Sequence, residues 1–449
     1  MIDLTLKIAP RRAALLDNAD TMIEVLVSLR APEAPLTQKA RDPLNLAIVI
    51  DRSGSMAGPP LFEAKRCASF IVQSLGPDDR AAVVAFDDSA EVVAPGGRVG
   101  DRNALLQSIA SIQSVGSTAL HDGWLHGAEQ AAHAVHSSGV SRVLLLTDGQ
   151  ANRGLTSVAE IAAHCGRLAE EGVTTSTYGL GRHFNEELLT EMARSGGGQS
   201  YYGETAEDLM DPFREEFDLM SALFARKVRL TVEPRDGVGW ASINRNRIDG
   251  DGRLILADVS YAGEAWVVLR VRVPKDLAPA VIAGDVHVLT LHATYQGLDG
   301  EPRFTAPAHL RLPRVPAVAF AAVSEDEGVA VRAKELRAAD LQEEARIAAR
   351  ARDWDGVDRA LVMACAEAGD NEWVREGLSA LEDIARMRDV ERFSKEAHYK
   401  SAKMRNRLSD GDASSAYAVR REVMKPSYLR RKPREGKDMT SDDDPKAPG

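Results

Sequence analysis

The feature that most restricts the fold of this chain is a nearly continuous apolar segment, residues 44–50, that runs directly into Asp51-Arg52-Ser53-Gly54-Ser55. Apolar side chains at successive positions are typical of a strand that is buried on both faces, as in a parallel sheet covered by helices. A helical stretch, residues 61–75, follows and ends at Gly76-Pro77. This order of buried strand, polar turn and helix predicts a β-α unit.

The same alternation of strand and helix continues along the chain. Further strands are predicted at residues 81–86, 90–93, 143–146 and 173–178, and further helices at residues 103–112, 120–136, 161–171, 186–194 and 206–225. Repeated β-α units predict a multidomain α/β protein with a doubly wound sheet that carries helices on both faces. Such sheets bind ligands at the carboxyl ends of their strands, so the turns after the strands are the candidate site.

Patterns of period two flank this α/β region. Strands are predicted before it at residues 2–6 and 22–27, and after it at residues 228–232, 254–259, 266–273 and 286–294. Because the early strands have no other evident sheet to join, we expect them to complete an antiparallel β-sandwich into which the α/β domain is inserted. The sequence Asp249-Gly250-Asp251-Gly252 lacks the later glutamate of a calcium loop and is predicted to be a hairpin turn.

The C-terminal third is of a different kind. From residue 324 the chain is rich in Ala, Glu and Arg and has helical periodicity, which predicts helical hairpins or a bundle. Residues 341–368 faintly resemble one tetratricopeptide-type pair, but no repeat accompanies it. The last residues are polar and charged, with a basic run at 430–434, and are predicted to be disordered. The expected units are residues 1–42 (N-terminal strands and linker), 43–225 (α/β domain), 226–316 (β-sandwich), 324–408 (helical segment) and 409–449 (tail).

Composition argues against several classes of protein. The formal net charge of −11 disfavours a nucleic-acid binder. No segment approaches the run of about 18 apolar residues that a membrane helix needs, and residues 1–30 lack the pattern of a secretory signal. Cys67, Cys165 and Cys365 are far apart, which predicts reduced core thiols and neither disulfides nor a zinc site. We therefore expect a cytoplasmic protein without a membrane span.

Oxygen donors are found at three separate turns of the α/β region. The five candidate ligands are Asp51, Ser53, Ser55, Thr118 and Asp148. Carboxylates and hydroxyls without His or Cys suit a hard divalent cation, Mg²⁺ or Mn²⁺, better than zinc. Two carboxylates and three neutral hydroxyls leave such a cation electrophilic and one position short of an octahedron. An acidic side chain from a partner protein can fill that position.

These residues resemble the metal-ion-dependent adhesion site (MIDAS) of the von Willebrand factor A (VWA) family. The family pattern is Asp-x-Ser-x-Ser, a distant Thr and an Asp in a Thr-Asp-Gly turn, and all five positions match here. The resemblance covers residues 44–225 and implies a Rossmann-like VWA domain. It also implies that the two serines and the threonine contact the cation directly, while the aspartates often act through water. Cytosolic prokaryotic relatives of similar domain order often work beside AAA+ ATPases of the MoxR type or in stress and conflict systems, so a partner of that kind is implied.

Four further side chains are expected near the open face of the cation, namely Arg52, His121, Arg153 and Arg182. Positive groups there would favour an anionic ligand, although any one such residue is more often just a solvated surface charge. His121 is alternatively a hydrogen-bonding residue beside Asp122.

The leading hypothesis is a non-catalytic scaffold or adaptor that binds an Asp or Glu of a partner protein through the cation. The sequence contains neither a Gly-x-Ser-x-Gly nucleophile elbow nor a phosphate-binding loop, which disfavours an enzyme. The alternative is a metal-dependent hydrolase, which needs a general base, and His121 is the only visible candidate. A surface adhesin would need an export signal that residues 1–30 do not provide.

Overall fold

The computed structural model describes residues 3–33, 41–133, 140–181, 184–203, 205–277 and 285–405, and the backbone of 409–410. Arg182 lies outside the described residues, as do part of the expected linker and nearly all of the predicted tail.

The secondary structure follows the chain in four groups. Three strands come first: β1 (Thr5–Pro10), β2 (Leu15–Leu16) and β3 (Thr21–Arg30). The α/β domain contains β4 (Leu44–Asp51), α1 (Pro59–Ser74), β5 (Arg80–Phe86), β6 (Ala90–Arg98), α2 (Arg102–Ser111), α3 (Leu120–Ala132), β7 (Val140–Thr147), α4 (Val158–Glu171), β8 (Val173–Leu180), α5 (Glu186–Ser195), β9 (Gly197–Gly203) and α6 (Ala206–Ser221). Nine strands follow: β10 (Leu223–Pro234), β11 (Gly239–Ser242), β12 (Leu254–Ile255), β13 (Val259–Ser260), β14 (Gly263–Val273), β15 (Val286–Gln296), β16 (Pro302–Phe304), β17 (Ala308–Leu312) and β18 (Arg314–Val315). The last group is α7 (Ala317–Ala322), α8 (Glu327–Arg350), α9 (Trp354–Ala368), α10 (Glu372–Arg386), α11 (Val390–Arg405) and β19 (Ser409–Asp410).

The α/β domain is built on a six-stranded sheet in the order β6-β5-β4-β7-β8-β9. Only the edge strand β6 runs antiparallel to its neighbour. The side chains of β4 alternate between two cores: Ile48 packs with α1 and α6 on one face, and Val49 packs with α3, α4 and α5 on the other. The prediction of a doubly wound sheet, with a central strand buried on both faces, is confirmed.

Helix α3 lies so close to the sheet that two of its residues have no room for a side chain. A Cβ atom on Gly123 would lie 2.3 Å from Cγ of Phe86, and one on Gly127 would lie 2.2 Å from Cγ2 of Val49. An alanine at either position would force the helix away from the sheet. Because α3 begins at Leu120, this close contact also fixes the loop before it, which carries Thr118.

Most of the remaining strands form a two-layer sandwich, and β2 pairs with β18 in a separate two-stranded sheet. One sheet has the order β1-β3-β14-β11, and the other has β10 and β15 at its centre. Strand β3 pairs with β14 along its whole length, from Thr21↔Val273 to Arg30↔Glu264. Side chains from both sheets, such as Val27 and Leu291, share one core. The strands that precede the α/β domain therefore lie in one sheet with a strand that follows it.

The two ends of the α/β domain meet the sandwich at a single turn, residues 261–263. On the entry side, Ala31 N donates to Gly263 O at 3.0 Å, and Pro32 O accepts from Ala262 N at 2.8 Å. On the exit side, Ala222 O accepts from Tyr261 N at 2.7 Å. The chain thus enters and leaves the α/β domain beside the same three residues.

Helices α8 to α11 form a bundle with its own apolar core. Helix α8 packs on the outer face of the β3–β14 pair, where Leu336 lies in a small cluster with Trp266 and Val268. The bundle also touches the α/β domain, since Lys395 Nζ lies 4.7 Å from the centre of the Phe184 ring. No helix in the described part of the chain is long and apolar enough to cross a membrane.

Several predicted element boundaries are wrong. Helix α6 ends at Ser221 rather than at residue 225, because Leu223 already begins β10 and turns its side chain into a core. The strand expected at residues 254–259 is two short strands, β12 and β13, and the first strand covers residues 5–10 rather than 2–6. Strand β9 was not predicted, because its three glycines give it low strand propensity.

Two smaller predictions can be compared with the structure directly. The turn at residues 249–252 is a hairpin turn, as predicted, with an isolated bridge between Ile248 and Leu254. Cys67 and Cys165 are free and buried, as expected of core thiols, and burial raises the pKa of each thiol to about 12. For Cys365 the prediction of a core thiol is wrong, because this free cysteine is only partly buried and its Sγ lies 3.5 Å from a carboxylate oxygen of Glu382.

We predict that Leu336→Ala lowers the free energy of unfolding by about 2–5 kcal/mol, because it removes a fully buried side chain between α8 and the sheet. Urea denaturation followed by circular dichroism measures this change. The matched control is Ile347→Ala on the same helix, which is 59% exposed and should change stability by about 0.5 kcal/mol or less. Equal losses in the two variants would contradict the docking of α8 described above.

Candidate metal centre

The site is built at the carboxyl ends of two adjacent strands. Parallel β4 and β7 pair in register from Leu44↔Val140 to Ile50↔Leu146, so Asp51 and Thr147 end neighbouring strands. Asp51 is completely buried, and its Oδ2 accepts a hydrogen bond of 2.5 Å from Thr147 Oγ1. The same hydroxyl accepts from Gly149 N at 2.8 Å. Thr147 therefore ties Asp51 to the turn that carries Asp148.

The two serines after β4 lie close to each other. Ser53 N donates to Asp51 Oδ1 at 2.9 Å, which folds the turn back over the strand end. The hydroxyl oxygens of Ser53 and Ser55 are 3.2 Å apart; Ser53 is buried, whereas Ser55 is exposed. Neighbouring ligands of an octahedral Mg²⁺, each at about 2.1 Å from the ion, are about 3 Å apart. The spacing of the two hydroxyls fits that requirement.

Thr118 is held by the turns on both sides of it. Gly116 O accepts a hydrogen bond of 2.9 Å from Gly54 N, and Gly116 has a φ of +74°, a conformation that favours glycine. Thr118 N donates to Asn152 Oδ1 at 2.9 Å, and Thr118 O accepts from Asn152 N at 3.2 Å. Thr118 itself is buried. The five predicted ligands thus lie on three loops that are joined by hydrogen bonds.

Burial and charge act strongly on Asp51. Burial raises the pKa of Asp51 to about 6, and the nearby negative charge of Asp148 adds to the increase. Hydrogen bonds from Ser53 and Thr147 act in the opposite direction. The site therefore brings two carboxylates together at a cost, which a positive ion between them would offset.

The chemistry of the donor set fits a hard divalent cation. All five side chains offer oxygen, in the form of two carboxylates and three hydroxyls, and Mg²⁺ and Mn²⁺ prefer such ligands. Within the described ranges, no three His, Cys, Asp or Glu side chains are placed to hold a metal. A cation at this site would therefore depend on the hydroxyls as well as on the two aspartates.

Two of the three arginines expected at the rim, Arg52 and Arg153, are neutralised by neighbouring acids. Arg52 donates to Asp87 and to Glu91, each at 2.8 Å, and Arg153 forms an ion pair with Asp88 at 3.0 Å. The three carboxylates were not among the residues predicted from the sequence. Asp87 and Asp88 follow β5, and Glu91 lies on β6. The positive rim expected from Arg52 and Arg153 is thus offset.

His121 is in contact with a second histidine. Its Nε2 lies 2.8 Å from Nδ1 of His164, and its Nδ1 lies 3.6 Å from a carboxylate oxygen of Asp122. Burial and the neighbouring His164 lower the pKa of His121. The structure thus places His121 between His164 and Asp122.

Two residues that hold the candidate ligands in place were not predicted from the sequence. Thr147 belongs to the Thr-Asp-Gly turn, but only its aspartate was given a role; its hydroxyl is the link between the two strand ends. Asn152 binds both backbone groups of Thr118 and lies in an irregular segment with no periodic signal. The only sequence feature that pointed to this role of Asn152 was its position four residues after the candidate ligand Asp148.

A doubly wound α/β domain with a loop-borne cluster of carboxylates and hydroxyls defines a recognisable class of ligand-binding domain. Residues 45–215 match the family model described as "von Willebrand factor type A domain". The chain therefore contains a VWA domain, and the match spans the three loops that carry the candidate ligands.

Curated relatives share this part of the chain. An uncharacterized protein of Synechocystis sp. is 31% identical over 234 residues, which are 52% of this chain and 54% of that protein. The uncharacterized protein YfbK of Escherichia coli is 28% identical over 42% of this chain and 33% of its own length. Inter-alpha-trypsin inhibitor heavy chain H3 of Mesocricetus auratus is 26% identical over 39% of this chain and 22% of its own. The match with this chain thus spans about half of the Synechocystis protein and about a third of the Escherichia coli one.

Two solved structures are similar over most of the chain. The von Willebrand factor type A protein from Catenulispora acidiphila has a TM-score of 0.66 at 19% identity and covers 86% of this chain and 89% of its own. The ArnB paralog VWA2 from Sulfolobus acidocaldarius has a TM-score of 0.61 at 16% identity and covers 91% and 99%. These similarities concern the fold, and their coverage extends beyond the VWA domain.

We predict that, in metal-free protein, wild type loses stability relative to Asp51→Asn as the pH rises from 4 to 7. The raised pKa of about 6 means that the folded chain still holds a proton on Asp51 at pH values where the unfolded chain has released it. The relative loss should be on the order of 3 kcal/mol, most of it between pH 4 and 6. Urea denaturation in the presence of EDTA measures both curves. Parallel curves would show that Asp51 ionises normally in the folded protein.

Proposed function

We propose that this chain is a non-catalytic adaptor whose VWA domain binds an acidic side chain of a partner protein with the help of a divalent cation. The observation that carries the proposal is the arrangement of carboxylates and hydroxyls on three hydrogen-bonded loops. The VWA domain supports a role in protein interaction or adhesion in general terms. Asp51, Ser53, Ser55, Thr118 and Asp148 would hold the ion, and Mg²⁺ or Mn²⁺ would supply a coordination position for the partner's Asp or Glu when bound.

The burial of the site residues supports a prearranged binding surface. Asp51, Ser53 and Thr118 are buried: Asp51 accepts hydrogen bonds from Ser53 N and Thr147 Oγ1, and Thr118 N donates to Asn152 Oδ1. Little conformational freedom is therefore lost when a ligand arrives. Ser55 is exposed and marks the side from which a partner can approach. Arg52 and Arg153 are paired with acids, so these two rim charges add little to the affinity for an acidic group, and the cation site itself would supply it.

The surroundings of His121 favour binding over hydrolysis. A general base must have a free nitrogen within hydrogen-bond reach of a water or substrate. His121 is largely buried and directs Nε2 to His164. Phosphatase and esterase assays with Mn²⁺ test this choice, and turnover that disappears in His121→Ala while Mn²⁺ is still bound would overturn it.

The cellular location and the class of partner are also part of our proposal. We infer a cytoplasmic scaffold whose partner is an AAA+ ATPase of the MoxR type or a protein of a stress or conflict system. This inference depends on the resemblance in domain order to prokaryotic VWA proteins.

We predict that Ser55→Ala weakens Mn²⁺ binding about tenfold or more, because it removes one oxygen ligand from an exposed position where the fold does not depend on it. Isothermal titration calorimetry on purified protein measures the affinity. Ser111→Ala, an exposed serine at the end of α2, is the matched control and should bind Mn²⁺ like wild type. Equal affinities in the two variants would exclude Ser55 as a ligand.

The partner itself requires a separate experiment. We expect proteins from the native host to be retained on immobilised wild-type chain in Mg²⁺ and released by EDTA, and not retained by Asp51→Ala. A retained partner, once identified and purified, should lose binding when one acidic residue is changed to its amide. Retention that is the same with Mg²⁺, with EDTA and with Asp51→Ala would refute a metal-bridged contact.

A further inference from the structure

A cavity of 770 Å³ lies where the VWA domain, the sandwich and the helical bundle meet. The VWA domain contributes Arg194, the sandwich contributes Lys227, Arg229 and Arg247, and the bundle contributes His398 to its wall. This volume lies within the range of about 300–1,000 Å³ that is usual for small-molecule sites. All three units line the cavity, so an occupant would contact each of them.

Arg247 is a cation of the wall whose hydrogen bond goes to a backbone carbonyl. It is half-buried, and its guanidinium donates to the backbone carbonyl of Ser195 at 2.9 Å. Among the residues that the structure describes, no carboxylate lies within ion-pair distance of Arg247. Burial lowers the pKa of Arg247, and the positive charges of Arg194 and Arg229 lower it further, while the negative charges of Glu170 and Glu191 only partly oppose the decrease. A partly buried cation whose hydrogen bond goes to a neutral carbonyl is stabilised by an additional negative group.

Lys227 is in a similar environment. Its ammonium donates to the backbone carbonyl oxygen of Glu170, at the end of α4. Burial lowers the pKa of Lys227, the negative charge of Glu170 opposes this, and the positive charges of Arg226 and Arg229 add to the decrease. The sandwich therefore presents two partly desolvated cations to the same cavity.

The cavity also contains carboxylates, but the central ones are already engaged. Glu170 pairs with Arg229, Glu191 with Arg194 and Glu216 with Arg142, each at 2.6 Å. Each of these acids is hydrogen-bonded to another arginine, and none of the three pairs includes Arg247. The described lining includes no Phe, Tyr or Trp, and so offers no surface on which a nucleobase would stack.

We propose that this cavity binds a small polyanion of the phosphate class, with Arg247 as the principal anchor and Lys227 and Arg194 beside it. The planar guanidinium of an arginine matches two phosphate oxygens at once, and a lysine adds a point charge. Such a ligand links the VWA domain to the sandwich and to the bundle. It stabilises the assembled arrangement of the three units, because it binds only when they are together.

The test uses the full chain in EDTA, so that the VWA cation takes no part. Sodium tripolyphosphate is titrated by calorimetry at constant ionic strength, with citrate as a carboxylate polyanion for comparison. Wild type should bind about one tripolyphosphate per chain, more tightly than citrate. Arg247→Gln should weaken binding about tenfold or more, since it removes a charge-assisted hydrogen bond.

Two further variants keep the outcome interpretable. Lys227→Gln should also weaken binding, and it reports on the site if Arg247→Gln does not fold. Arg272→Gln is the matched control, since this sandwich arginine is 65% exposed, pairs with Asp20 and lies outside the cavity wall. Asp51→Ala should bind tripolyphosphate like wild type, so a failure of the metal proposal would leave this one intact. No saturable binding, equal binding of citrate, or an equal loss in Arg272→Gln would overturn the proposal.

Discussion

The parallel pairing of β4 with β7 is the constraint on which the candidate site depends. It places Asp51 beside Thr147, and the hydroxyl of Thr147 then bonds both to the Asp51 carboxylate and to the backbone of the next turn. Both strands are apolar and fully buried, so their register is fixed by packing on two faces. A slip of one residue would turn every side chain of the strand to the opposite core and separate the two carboxylates. The same strand register therefore determines both the stability of the sheet and the geometry of the site.

The site illustrates how a stable sheet can support an unfavourable cluster of charges. Asp51 is completely buried near Asp148, and its raised pKa reflects the resulting destabilisation of the charged form. The cores on both faces of the sheet supply the stability that makes this tolerable. Without a cation, the cluster lowers the stability of the fold, whereas a bound cation would remove most of that effect. If the proposed cation binds, its binding and the folding of the domain would be coupled through the Asp51 carboxylate.

Much of the fold could be predicted because its signals are local. The apolar run of β4, the alternation of strands with helices and the oxygen donors at three turns are all visible in the sequence. The missed features depend on contacts between distant segments. The sequence suggested that Arg52 carries an unpaired charge. Its partners Asp87 and Glu91 are distant in the chain, and only the folding of the sheet brings them close to Arg52. The glycine-rich strand β9 could not be predicted because its place is set by β8, and the three-unit cavity has no sequence signature at all.

The shared turn at residues 261–263 has a mechanical consequence. Both ends of the VWA domain are hydrogen-bonded to this turn, and β3 pairs with β14 directly beside it. A pulling force applied between the first strand and the helical bundle would pass through the paired strands of the sandwich. It would bypass the six-stranded sheet, because the entry and exit points of that sheet lie side by side and would not be drawn apart. The ligand loops would therefore keep their geometry while the rest of the chain carries load.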